Sequence, residues 1–216
     1  KVDKFGFSAN NVTYAAAGDQ LGYWQFFPAS NNETETWGII PVWGFADVVA
    51  SSAEGVDAGE RIFGYYPTNS YLKMQSVKVL ENRLIDGSDH RSKLPPGYNT
   101  YRRVGKEADY DSNMDNMRML LWPLYITSFC LWDSLQHNDW HGAKQVIVIS
   151  ASSKTSIGLG YALAADTDAP TSIGLTSKRN QEWVAGLELY DATINYDALG
   201  EIDASIPTVI VDMSGN

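Results

Sequence analysis

The stretch Val146-Ile-Val-Ile-Ser-Ala-Ser-Ser-Lys-Thr-Ser-Ile-Gly-Leu-Gly160 decides how this 216-residue chain is read. It begins within Gln145 to Ser150, a continuous apolar run of the kind that forms a strand buried on both faces of a parallel sheet. Small residues follow, and Ile157 to Ala165 then takes helical spacing. In a doubly wound α/β fold, the first turn of this kind leaves backbone N–H groups free at the helix start, where they face a pyrophosphate. Small side chains are needed because the phosphate must approach the main chain closely. Gly158 is expected where helix and strand pack tightly. The usual G-x-G-x-x-G is absent, with Ser and Ala at the earlier glycine positions, and such a turn also occurs with no ligand.

Downstream, Thr171 to Thr176 reads as a second strand and about Arg179 to Leu189 as a helix, and Ala192 to Asn195 and Pro207 to Asp212 read as two more strands. This alternation means βαβ units and a parallel sheet. The second strand ends Gly174-Leu-Thr-Ser-Lys-Arg-Asn180, with two cations where an NAD-preferring site carries an acid. At a helix start the dipole opposes Lys178 and Arg179 by a few tenths of a kcal/mol each, about 1 at most. A bound 2′-phosphate reverses that penalty and gives Arg179 a charge-assisted partner. NADP(H) is therefore favoured over NAD(H); the plainer alternative is a pair of solvated cations. The candidate cofactor-binding residues are Ser152, Ser153, Lys154, Thr155, Ser156, Ile157 and Gly158 in the turn. Thr176, Ser177, Lys178 and Arg179 join them at the second strand's end. Lys154-Thr155 matches the end of a phosphate-loop motif, but Ser153 and Val148 stand where it needs glycine, so the NTPase reading is rejected.

Upstream, Met114 to Leu135 carries helical spacing and Asn138 to Gly142 reads as a turn. Asp86 to Tyr110 is polar, contains Pro95-Pro96-Gly97, and is expected to be a loop or connector. From Lys1 to about Asn82 the chain offers short β-type runs: Gly38 to Ala50, Glu60 to Pro67, Tyr71 to Met74 and Ser76 to Leu80. A tight turn is expected at Glu54 to Gly59. Many short strands at close intervals indicate an all-β barrel or sandwich. The expected domains are residues 1–110, with the connector, and 111–216.

Lys plus Arg number 16 against 26 Asp plus Glu, a net charge of -10. That charge repels phosphate backbones and anionic lipid, so neither nucleic acid nor a membrane surface is an expected partner. The most apolar stretch, Leu120 to Trp132, is too short to span a bilayer and carries Pro123. The one cysteine, Cys130, excludes an internal disulfide and a Cys-rich zinc site, and fits the reducing cytoplasm. His137 and His141 are four apart but lie around a polar turn. Without three or four convergent ligands, no metal is expected. The triplets Asn11-Val12-Thr13 and Asn32-Glu33-Thr34 match the glycosylation pattern and carry no weight. The missing initiator Met and the abrupt end at Ser214-Gly215-Asn216 suggest a chain cut at both ends from a longer one.

Several segments, in order along nearly the whole chain, carry a family likeness. They are Asn10 to Asp19, Pro41 to Ser51, Gly55 to Gly64, Pro123 to Ser128, Ser150 to Gly158, Gly174 to Arg179 and Val211 to Asn216. Together they resemble the medium-chain dehydrogenase/reductase superfamily, in its zinc-independent quinone-oxidoreductase and enoyl-reductase branches, and an uncharacterised family within it. The resemblance implies an incomplete GroES-like barrel followed by a Rossmann domain reduced to the first four strands of the order 3-2-1-4-5-6. It also implies an active site in the cleft between them, and pairing into a homodimer. The implied reaction is hydride transfer from NADPH to a quinone, enal or other carbonyl, without zinc.

By the same resemblance, Asn10, Asn11 and Tyr14 lie on a barrel segment facing the nicotinamide, and Thr127 contacts the cofactor. Tyr14 is the candidate proton donor, because a phenol can donate to developing negative charge. Tyr14, Asn11 and Thr127 form the implied catalytic set. Tyr14 also reads as one more partly buried aromatic, and Asn10-Asn11 as a turn cap. Trp24, Phe26, Phe27 and Trp43 suit either a substrate pocket wall or core packing. No strong catalytic constellation stands out, so a non-catalytic NADP(H)-binding sensor or structural protein is the alternative function.

Overall fold

A computed structural model describes residues 1–29 and 37–214. The triplet Asn32-Glu33-Thr34 and the final Gly215-Asn216 lie outside the described residues. The fold is mixed α/β, with one antiparallel and one parallel sheet, and the chain divides into two compact units, Lys1–Leu120 and Leu121–Asn216.

The first unit holds an antiparallel sheet of six strands: β1 (Val2–Gly6), β2 (Pro41–Asp47), β3 (Arg61–Pro67), β4 (Lys78–Val79), β5 (Arg83–Ile85) and β6 (Thr100–Arg103). Their order is β1-β2-β3-β6-β5-β4. Strands β2 and β3 pair from Pro41 opposite Pro67 to Asp47 opposite Arg61. Side chains alternate across a sheet, and here both faces are covered. Val42, Ala46, Ile62 and Tyr66 gather with Leu84 and Tyr101 into one apolar cluster. Trp43, Phe45, Phe63 and Tyr65 alternate with them and pack ring against ring, Phe45 on Phe63 at 4.9 Å and Trp43 on Tyr65 at 5.2 Å.

Three sequence expectations need correction in this unit. The run taken as purely β-type includes a helix, α1 (Ala9–Ala16). Extended Ser8 starts it, and the Ser8 amide donates to Asn11 Oδ1 at 2.8 Å, closing the first turn. The expected connector 86–110 contains β6, whose two arginines hide it from a hydrophobicity pattern. Buried Arg103 is paired with Glu60 and donates to Gly55 O at 2.7 Å and Leu80 O at 3.1 Å, so its charge is matched inside the fold. Tyr71 to Met74 forms no strand; Leu72 and Met74 instead pack on the apolar cluster as irregular chain.

Helix α2 (Asp115–His137) follows, and the division between the units falls within it. No helix among the described residues is long and apolar enough to cross a membrane. The second unit then contains β7 (Gln145–Ile149), α3 (Lys154–Ala165), β8 (Thr171–Thr176), α4 (Lys178–Ala185), β9 (Ala192–Asn195) and β10 (Thr208–Asp212). The four strands are parallel in the order β10-β7-β8-β9. Val146, Val148 and Val211 pack with Leu135, Leu159 and Leu163. Ile147, Ile173, Leu175 and Ile194 form a second apolar cluster.

Helix α3 begins at Lys154, three residues before the apolar spacing predicts, because Ser153 caps it: Ser153 Oγ accepts from the Ser156 amide at 3.2 Å. Helix α4 stops at Ala185, just before Gly186, and does not reach Leu189. Gly158 packs against α2, not against a strand. A Cβ there would stand 2.7 Å from Ser128 Oγ and 3.1 Å from Ser128 Cβ. Glycines serve helix–strand packing elsewhere, where the Tyr190 ring occupies the space a Cβ on Gly160 or Gly174 would need.

Candidate functional site

The turn between β7 and α3 is held by a small set of internal bonds. Ser150 adopts a left-handed backbone (φ 57°), a conformation with a cost for a residue bearing a Cβ. Its amide donates to Tyr196 Oη at 3.1 Å. Ala151 N donates to Leu175 O at 3.0 Å and Ser153 N to Ser150 O at 2.8 Å. Fully buried Ser156 donates to Ile149 O at 3.3 Å, and its Oγ lies 2.9 Å from Ser153 Oγ. The Thr155 carbonyl accepts from Ser128 Oγ at 2.7 Å, and Ile157 N belongs to the helical ladder through Ser153 O. The side chains of Ser153 and Ser156 are thus committed to the turn itself.

Three amides are left over. Among the described residues, no acceptor meets the backbone N–H of Ser152, Lys154 or Thr155. They cluster at the positive end of a twelve-residue helix whose first turn contains no acid. The next helix start repeats the pattern. Lys178 and Arg179 are exposed in the first turn of α4, no acid accompanies them, and no ion pair within the described residues engages them. Ser177 is the N-cap without a side-chain capping bond. Asn180 Nδ2 donates to Ser152 Oγ at 3.0 Å, tying the two helix starts together. Thr176 Oγ1 is buried with no hydrogen-bond partner. In a chain of net charge -10, two neighbouring helix starts thus present open amides, Lys154, Lys178 and Arg179. Chemically, such a grouping of donors and cations suits an anion.

Thr127, on α2, is exposed, and its Oγ1 donates back to Pro123 O at 3.1 Å within its own helix. In the first unit, Asn11 is 4% exposed and both ends of its amide are in use: Oδ1 caps α1 and Nδ2 donates to Pro41 O at 3.0 Å. Asn11 therefore anchors α1 to β2. Tyr14 is nine-tenths buried in an aromatic group with Tyr23 (4.5 Å between ring centroids) and Tyr65 (5.9 Å). Burial pushes its phenol up to about 12, so it stays protonated through the physiological range. Phe26, Phe27 and Trp43 belong to the same packed group.

Sequence reading missed Asn180 and Tyr196, whose bonds to the turn depend on tertiary placement. It also missed Trp43 Nε1 and Tyr65 Oη as polar groups; both are buried and without hydrogen-bond partners. Among the described residues, no three His, Cys, Asp or Glu side chains gather as metal ligands.

Fold and site together define a mixed α/β chain whose parallel unit carries a βα turn with three unbonded amides. The chain belongs to the family described as Protein of unknown function (DUF2855), whose model matches residues 5–216. No curated protein matches the chain. Among solved structures it is similar to the human synaptic vesicle membrane protein VAT-1 homolog-like protein, at 12% identity and TM-score 0.48, over 92% of this chain and 51% of that one. The yhdH oxidoreductase from Salmonella enterica in complex with NADP is similar at 11% identity and TM-score 0.48, over 94% of this chain and 53% of that one. CurK enoyl reductase is similar at 14% identity and TM-score 0.46, over 92% of this chain and 51% of that one. The chain thus spans about half the length of these structures.

Proposed function

We propose that this chain is part of an NADP(H)-dependent, zinc-independent oxidoreductase of the medium-chain dehydrogenase/reductase type. In this reading its parallel unit is a Rossmann domain and its antiparallel unit a GroES-like barrel. One observation carries the proposal: the free amides of Ser152, Lys154 and Thr155 at the start of α3, with Lys178 and Arg179 at the start of α4. The amides suit a diphosphate and the cations suit a further phosphate on the adenosine ribose. The fit is of backbone to pyrophosphate, so Ser153, Ser156, Ile157 and Gly158 support the cradle rather than bind through side chains.

Bound NADPH would supply the hydride; the protein's part is orientation and a proton. Tyr14 is the donor in this reading, since its neutral phenol holds a proton across the working pH range and can release it to an oxyanion or carbanion. The substrate is a quinone, enal or other small carbonyl compound. The cytoplasm and a homodimeric state belong to the same reading.

The test is NADPH consumption by the full-length protein with a panel of quinones and enals. Turnover is expected, and Tyr14→Phe is expected to lower kcat about a hundredfold while leaving NADPH affinity unchanged. NADPH binding with no turnover on any member would instead favour the non-catalytic sensor.

A further inference from the structure

The first unit holds a recess of about 620 Å3 that the oxidoreductase reading does not use. It opens between the chain leaving β2, as far as Val56, and the irregular segment from Tyr71 to Val77. Small-molecule sites fall at about 300–1,000 Å3 and are mostly apolar, with a few polar groups that fix orientation. The floor is Ile62, Tyr66 and Leu84, each at most 4% exposed. Half-buried Val48, Val56 and Met74 wall it. The floor's one hydroxyl is engaged, since Tyr66 Oη donates to Ile62 O at 3.2 Å. The side chains of the floor therefore offer an occupant no free donor. A polar group carried that deep would lose water without gaining a partner, so the inner part of a ligand must be apolar.

The mouth has the opposite chemistry. Lys1 and Lys73 line it, both exposed, and among the described residues no ion pair engages either ammonium. The carboxylate beside them, Asp47, is held by Arg61 at 3.0 Å. Two free cations thus stand over apolar walls in a chain of net charge -10, and charge complementarity selects the occupant. We propose that this recess binds a single-chain fatty carboxylate, with its hydrocarbon tail on the floor and its headgroup at Lys1 and Lys73. Tail burial supplies the affinity, and the two ammoniums supply the preference for an anion. A cationic head would be repelled at the same place. Every residue invoked belongs to the first unit, and neither cofactor nor Tyr14 takes part, so the outcome is independent of the reading given above.

Titration of the full-length protein with dansylaminoundecanoate, whose emission rises when the dansyl group leaves water, tests this. A single saturable site is expected. Dodecanoate should displace the probe, and dodecyltrimethylammonium at the same concentration should not. Ala53→Trp, which puts an indole in the lining, should abolish binding. Lys73→Glu should weaken it about fivefold, as expected for reversing one exposed charge beside the headgroup. Lys73 is exposed, so its variant should keep the parent's Tm and remains decisive even where Ala53→Trp lowers it. No saturable binding, equal displacement by the cationic amphiphile, or affinity unmoved by Lys73→Glu overturns the proposal.

Discussion

Asp115, at the first position of α2, is 1% exposed and meets three partners: Lys4 at 3.0 Å, Arg61 at 3.2 Å and the Tyr110 hydroxyl at 3.0 Å. Burial raises its carboxyl, but these bonds outweigh it and hold the group below the usual carboxylate range. A depressed carboxylate contributes stability above its unfolded pKa and loses it as pH falls through the folded value. Denaturation from about pH 6 down to about pH 3 should therefore show stability falling below about pH 4, with a shallower fall in Asp115→Asn. An equal slope in both proteins would remove this carboxylate from the account. Asp86 and Arg91 form a second, fully buried pair, with the Arg91 guanidinium 5.0 Å over the Phe27 ring. Arg91→Met leaves Asp86 charged and buried, and should cost about 3–5 kcal/mol of unfolding free energy in urea titration.

The crossing of α2 and α3 depends on closeness at Gly158. A methyl group there meets Ser128, which is fully buried and bonded to Thr155 O, so it cannot easily yield. Gly158→Ala should lower stability by about 1–3 kcal/mol, whereas Gly97→Ala, with nothing within 4 Å of the added carbon, should change it little. Paired thermal melts check this, and equal melts would contradict the packing described. The same elements show what the sequence makes legible. Strand β7 is evident because a central strand of a parallel sheet buries a continuous apolar run, and β8 and β9 match their expected limits. Helix α1 is hidden because its start depends on one Ser–Asn exchange, and β6 because its buried Arg103 is matched by Glu60, Gly55 and Leu80, all distant in sequence. The Gly158 contact is misplaced because spacing shows that a residue must be small without showing which neighbour demands it. The turn between β7 and α3 is legible as a turn, but its commitment of Ser153 and Ser156 to internal bonds appears only in three dimensions.

For the whole molecule, composition and the proposed function pull in opposite directions. A net charge of -10 repels anions, so the parallel unit can attract a phosphorylated cofactor only through local charge and oriented amides. Affinity for NADPH should accordingly weaken with added salt, and Lys178→Ala with Arg179→Ala should weaken NADPH binding about tenfold or more while sparing NADH. Binding titrations at two ionic strengths measure both. The most direct test of the account is a fluorescence titration of the full-length protein with NADPH and, in parallel, with NADH. The account predicts saturable binding of both with clear preference for NADPH; no binding of either, or preference for NADH, contradicts it.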